Sequence, residues 1–205
     1  NLRVILTHNH YDHLDKSSIE SLPENTKVFV PMGLKEYVLD MDKRDVTEMD
    51  WWQETHLGNG ITLVCLPMQH WSRRFGQGPS ETLWASYMLI TPKVTLYLGG
   101  DTGYFIGYKE IAKRYPKIDY ALLPTTAYHP RWFMHYNHMN VDEAIEAFKD
   151  LNARYMVPQQ WGTFHLGDEP PGYSILELKR KIAERRLDAS RFVIMDVGEI
   201  LPIAK

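Results

Sequence analysis

The chain has 205 residues, 44% hydrophobic and 24% charged, with a net charge of −3. That length supports one domain with a substantial core. The lack of a basic excess argues against broad nucleic-acid binding, and no apolar run approaches the ~20 residues that span a bilayer as a helix.

Residues 2–6 form a short apolar run that reads as a buried strand. It leads into His8-Asn9-His10-Tyr11-Asp12-His13. On an extended strand, residues i and i+2 share a face, so the His8 and His10 imidazoles can reach one ion. Asp12 and His13 follow where the strand runs out and can turn toward a second ion. Imidazole and carboxylate suit zinc and similar divalent metals. The alternative, a polar turn that happens to hold four ligand-type side chains at this spacing, is a weaker account.

Asp15 can cap a helix over 16–22. Residues 27–30 read as a strand, 34–39 as a short helix and 46–49 as a strand. Ile61–Leu66 is a strong strand stopped by Pro67. It contains the single cysteine, Cys65, which excludes an internal disulfide and reads as core. A reducing, cytoplasmic compartment fits that usage. Residues 73–80 are polar and Gly-rich, hence a loop. Residues 82–90 and 95–98 read as strands around a turn at 91–93, 110–115 as helical, and 120–123 as a strand ending at Pro124.

Residues 125–138 lack periodicity and are rich in aromatics and His, as in a loop packed over a site. Asn140 caps a helix, with Glu143 completing a capping box. Val141, Ala144, Ile145, Phe148 and Leu151 form that helix's buried stripe. Residues 155–157 read as a strand, 160–173 as a loop, 175–185 as a helix and 192–195 as a last strand. Strands and helices alternate without a linker, which predicts a single α/β or mixed-sandwich domain over 1–205. His70, Asp101 and Gln160 each lie just past a strand end, where such chains gather a site.

At these positions the sequence resembles the metallo-β-lactamase superfamily, in the branch of the N-acylphosphatidylethanolamine-hydrolysing phospholipases D and their bacterial relatives. The resemblance is carried by residues 8–15 (HNHYDHLD), Asp50-Trp51-Trp52, Gln69-His70-Trp71, Gly100-Asp101-Thr102-Gly103-Tyr104, Ala127-Tyr128, Pro130-Arg131-Trp132-Phe133-Met134 and Trp161-Gly162-Thr163-Phe164. It implies an α/β (α+β) four-layer αββα sandwich. The chain starts at Asn1, directly before the first strand, and is expected to lack much of the N-terminal half of that fold. Strand 2–6 would then have an apolar face that these residues cover poorly.

The resemblance further implies that His8, His10 and His70 hold one zinc ion. Asp12 and His13 would hold a second, with Asp101 bridging both and a bridging hydroxide as nucleophile; manganese or iron are alternative metals. The implied activity is that of a metal-dependent phosphodiesterase acting on a phospholipid such as an N-acylphosphatidylethanolamine. A lactonase or other ester hydrolase, a nuclease of the same fold, and a non-catalytic metal-binding domain are the alternatives. Lipid and peripheral membrane contact, and homo-oligomerisation, are compatible with this reading; nucleic acid is not.

Asp12, Asp101 and His138 are the catalytic candidates. His138 either transfers a proton at the rim of the site or is a solvated residue before the helix cap. Tyr128, Arg131 and Trp132 are the candidate substrate-binding residues. Arg131 would grip a phosphate bidentately or form a structural salt bridge. Trp51, Trp52, Trp132 and Phe133 are either core or an apolar wall for an acyl chain. Arg73 and Arg74 are a phosphate-facing pair or solvated charge, and His129 and His135 are expected at the surface. The sequence departs from the family at Gln160, where a His would precede Trp-Gly-Thr-Phe. An amide is a poor zinc ligand, so the second ion is expected to be weakly held, with His165 as the nearby substitute.

Overall fold

The computed structural model describes residues 2–203. β1 (Arg3–Ile5), β2 (Lys27–Pro31) and β3 (Asp45–Met49) pair in parallel in that order. Successive strand residues face opposite ways. Val28 and Val30 therefore pack outward with Leu14, Ile19, Leu34 and Val38, on and beside helices α1 (Lys16–Ser21) and α2 (Lys35–Leu39), while Phe29 points the other way. Burial on both faces explains why β2 reads as a continuous apolar run. β1 is an edge strand whose residues are exposed or half-buried. Asp15 caps α1, its carboxylate accepting from Ser18 N at 2.7 Å.

The second sheet holds β4 (Glu54–Gly58), β5 (Ile61–Leu66), β6 (Ser86–Ile90), β7 (Thr95–Leu98), β8 (Tyr120–Pro124) and β9 (Tyr155–Gln159), side by side in chain order. Neighbours are antiparallel as far as β7 and parallel from β7 to β9. Leu63 and Cys65 meet Phe29, Met49 and Tyr87 between the two sheets. Val64 and Leu66 face the outer helices α3 (Gly107–Arg114), α5 (Val141–Asp150) and α6 (Tyr173–Glu184), among Tyr97, Tyr108, Ile145 and Leu178. A short helix, α4 (Arg131–Met134), lies between β8 and α5. The layers are thus the expected αββα. Burial pushes the Cys65 thiol up to about 12, as suits a core residue. Among the described residues no helix is long and apolar enough to cross a membrane.

The structure differs from the sequence reading at four places. β4 is an unforeseen edge strand, half-buried at Thr55 and Leu57. Its hairpin to β5 turns at Asn59-Gly60, both at positive φ (51° and 72°), and Asn-Gly is a hairpin signal the reading passed over. The strand expected from 82 starts at Ser86. Leu83 N and Ala85 N donate instead to Met32 O and Thr7 O, across to the first sheet. The expected loop 125–138 contains α4. The last strand shrinks to one bridge, Met156 to Phe192: Phe192 is buried, but the residues after it are not.

Candidate metal centre

The loop after β1 is held from both sides. Thr7 O accepts from Ala85 N at 2.8 Å and Leu6 O from the Tyr87 hydroxyl at 3.0 Å. Asn9 accepts from Arg73 N and donates to Gln77. Arg74 donates to the carbonyls of Asn9 and Leu14 and stacks on Tyr11. His13 N and Leu14 N both donate to His10 O, and this tight turn brings His13 back toward His8, with ring centroids 4.3 Å apart.

Three ring nitrogens converge there. His10 Nδ1 lies 2.9 Å from His8 Nε2 and 3.2 Å from His70 Nε2. His70 Nδ1 faces the Asn137 carbonyl at 3.2 Å. A carbonyl only accepts, so the proton sits on Nδ1 and Nε2 presents a lone pair to the cluster. Zn–N bonds of about 2.0–2.1 Å in a tetrahedron put ligand atoms about 3.3 Å apart, close to the spacing found. Beside them, Asp101 Oδ2 lies 3.2 Å from His13 Nε2 and 3.9 Å from His70 Nε2, and Asp12 Oδ2 lies 3.4 Å from His13 Nε2. His8–His10–His70 and His8–His13–Asp101 are overlapping groups, each able to hold one metal. Because His8 has one nitrogen to give, a pair of divalent cations would take His8, His10 and His70 on one side and Asp12, His13 and Asp101 on the other, a donor set that fits both.

Asp101 reaches this point because the chain after β7 can pass close to its neighbours. Gly100 has φ +64°, and a Cβ there would lie 2.9 Å from Thr7 Cγ2. A Cβ on Gly103 would collide with Tyr136 O. Gly103 N donates to Gln69 O and Met139 N to Thr102 O, which ties His70, Asp101 and His138 together.

Burial pushes His8 and His10 below the ordinary histidine value and takes His70 to about 3, so the first group is neutral, as metal ligation requires. Burial also works to lower His13, but its hydrogen bonds to Asp101 and Asp12 prevail and hold it at about 10. Burial would raise Asp101, yet the bond to His13 keeps it well below the carboxylate range.

The cluster forms the base of a cavity of about 550 Å³. Tyr11, Trp71, Phe133, Met134, Phe164 and Leu166 wall it; His138 and Gln160 line its base beside the metal ligands; among the described residues no Lys or Arg lines it. His138 packs edge-on against His70 at 5.3 Å and forms a group with His70 and Asp101. Burial lowers its pKa. The Gln160 amide donates to Asp101 Oδ1 at 2.6 Å.

The three expected substrate-binding residues lie elsewhere. Arg131 has its donors engaged: Nη2 meets both Glu143 carboxylate oxygens at 2.8 Å, and Nη1 donates to His138 O at 2.8 Å and to Tyr128 O at 3.4 Å. It is a structural tie, and no fork is free for a phosphate. Tyr128 is buried, with its hydroxyl donating to Glu177 at 2.7 Å. Trp132 is 80% exposed and outside the cavity lining.

Trp51 packs between the sheets, and Trp52 packs against the outer core under Arg114. Arg74 braces the metal loop, and Arg73 is exposed. His129, His135 and His165 are exposed, and His165 is outside the cavity, so it does not stand in for a ligand. Tyr11, Trp71, Phe164, Met134 and Leu166 are the wall residues that sequence reasoning missed. The first three sit inside or beside the metal-ligand and Trp-Gly-Thr-Phe motifs, and that adjacency was the available signal.

Comparison with known proteins agrees with this geometry. A family model described as a β-lactamase superfamily domain matches residues 3–161. The chain is 33% identical over 211 residues to N-acyl-phosphatidylethanolamine-hydrolyzing phospholipase D 1 of Caenorhabditis elegans, an alignment covering 96% of this chain and 59% of that protein. It is 33% identical over 189 residues to the mitochondrial N-acyl-phosphatidylethanolamine-hydrolyzing phospholipase D of Saccharomyces cerevisiae, covering 87% and 39%. The chain thus spans about half the length of the curated relatives it matches. Among solved structures, Igni18, a metallo hydrolase of Ignicoccus hospitalis, superposes with a TM-score of 0.72 at 23% identity, over 97% of this chain and 78% of that one, a likeness of fold.

Proposed function

This chain belongs to the β-lactamase superfamily domain family, and from that membership and the site's geometry we propose that it is a metal-dependent hydrolase cleaving a phosphodiester in a lipid-like substrate such as an N-acylphosphatidylethanolamine. The observation that carries the reading is a metal-ligand cluster at the base of an apolar-walled cavity that no Lys or Arg lines among the described residues. A substrate held there presents one anionic centre to the cluster and apolar groups to the walls. A polyanion would need basic side chains around the mouth, which disfavours the nuclease reading. The names of the two relatives above support the same substrate class.

His8, His10 and His70 would hold one ion, Asp12 and His13 a second, and Asp101 both; zinc suits the donors, and manganese or iron also would. Such ions, when bound, would acidify a water and neutralise charge on the phosphoryl oxygens. In the hydrolysis a water oxygen would bond phosphorus and give up a proton, the P–O bond to the alcohol would break, and the alcohol oxygen would take up a proton. His138 would carry that proton: it lines the cavity beside His70, and burial disfavours its charged form, so it would pass a proton on and not keep it. The Tyr11–Trp71 and Phe133–Phe164 walls would hold the acyl chain. Phe133, Phe164 and Leu166, each more than half exposed, would give the mouth contact with a lipid surface.

A substrate panel tests the reading: N-acylphosphatidylethanolamine in mixed micelles, a small soluble phosphodiester, a carboxylic ester, a lactone and single-stranded DNA, each with metal-loaded protein. The proposal expects cleavage of the two phosphodiesters, faster for the lipid. Turnover of the ester or lactone alone would refute it.

A further inference from the structure

Two consecutive glutamines close on the loop that carries Asp101. Gln159 Nε2 donates to Gly100 O at 3.2 Å, and Gln160 Nε2 donates to Asp101 Oδ1 at 2.6 Å. Gln160 sits at φ +69°, in the left-handed region that a side chain enters at a cost. That conformation, at the end of β9, aims its amide into the cavity. With Oδ1 taken, Asp101 turns Oδ2 toward His13 and His70, between the two ligand groups. From this we infer that Gln160 is a positioning residue for Asp101, not a metal ligand, and that the chain holds its two ions unequally: the His8–His10–His70 ion tightly, the Asp12–His13 ion loosely.

The first group offers three imidazole nitrogens plus Asp101. The second would have only Asp12, His13 and the shared Asp101, because Gln160, which lines the same cavity, turns an N–H donor to Asp101 and offers a cation no lone pair. Turning the amide to offer its oxygen would break the bond to Asp101 Oδ1. Binding at the second position therefore competes with the clamp that orients the shared ligand. The inference rests on the metal-dependent reading above and concerns how that site is loaded.

Equilibrium dialysis of the metal-free protein against graded zinc, with elemental analysis of bound ions and no activity assay, tests it. The unmodified chain should show two dissociation constants at least about tenfold apart, as metal sites differing in ligand support do. Gln160→His, which supplies a fourth ligand, should bring them together, with two ions retained against a weak chelator. Gln160→Leu, which keeps bulk but frees Asp101, should weaken the tighter ion by about 10- to 100-fold. Two equally tight ions in the unmodified chain would overturn this inference while leaving the hydrolase reading standing, as would a Gln160→Leu protein that binds the first ion unchanged. No tight ion at all would overturn both.

Discussion

Replacing Arg131 with alanine separates a phosphate-binding role from a structural one. Its guanidinium makes a bidentate pair with Glu143 and a 2.8 Å bond to the carbonyl of His138. Both partners are largely shielded, with side chains 25% and 31% exposed. A hydrogen bond to a charged group contributes about 1.5–3 kcal/mol, and a partly exposed ion pair about 0–1 kcal/mol more. Arg131→Ala should therefore destabilise the metal-free protein by about 3 kcal/mol, a Tm loss of about 6–12 °C for a domain of this size. Glu143 also closes the capping box of α5, accepting from Asn140 N at 2.9 Å. Glu143→Gln should thus give a smaller loss of the same kind, and a double-mutant cycle should show coupling. Because Arg131 holds the His138 backbone, kcat should fall while KM for a phosphodiester changes little. An unchanged Tm with KM raised tenfold or more would refute this reasoning and return Arg131 to the substrate.

Other consequences can be measured alongside. Asp101→Ala should leave purified protein with less than one ion per chain if one carboxylate serves both ions, as proposed; elemental analysis checks this. In metal-free protein the His70 value of about 3 lies below the unfolded value near 6.5, so its neutral burial stabilises fully above pH 6.5 and is lost as pH falls, by about 2 kcal/mol at pH 5. His13 has the opposite sign. Held at about 10, it stabilises fully below pH 6.5 and loses that contribution as pH rises toward 10. Chemical denaturation across pH should therefore show a neutral maximum, which metal flattens on the alkaline side by taking the place of the His13 proton. Phe133→Ser with Phe164→Ser should raise KM severalfold for a micellar lipid and leave that for a small soluble phosphodiester unchanged.

Much of the centre was legible because metal ligation imposes residue types and short spacings. The His8–His13 segment, with His70 and Asp101 each just past a strand end, could be read before any coordinates. The αββα layering followed from the family resemblance; the residues alone supported only an α/β or mixed sandwich, although β2 and β5 are apolar on both faces, as strands covered by two layers are. What the side chains behind the ligands touch was not legible. Arg131, Tyr128 and Trp132 sit in one conspicuous stretch, yet whether a guanidinium meets a phosphate or Glu143 depends on a residue 12 positions away. Edge strand β4 was missed because half-exposed Thr55 and Leu57 leave a faint alternation, although Asn59-Gly60 marked its turn. The cavity walls come from four separate loops, and their convergence is a property of the fold.

Hydrolysis of N-acylphosphatidylethanolamine in heavy-oxygen water, by protein stripped of metal and then reloaded, tests the central claim most directly. The account predicts no product from stripped protein. Reloading should restore turnover, with the label in the phosphate-bearing product and none in the released alcohol, because water oxygen bonds phosphorus. Equal turnover by stripped and reloaded protein, or label appearing only in a released fatty acid, would contradict it.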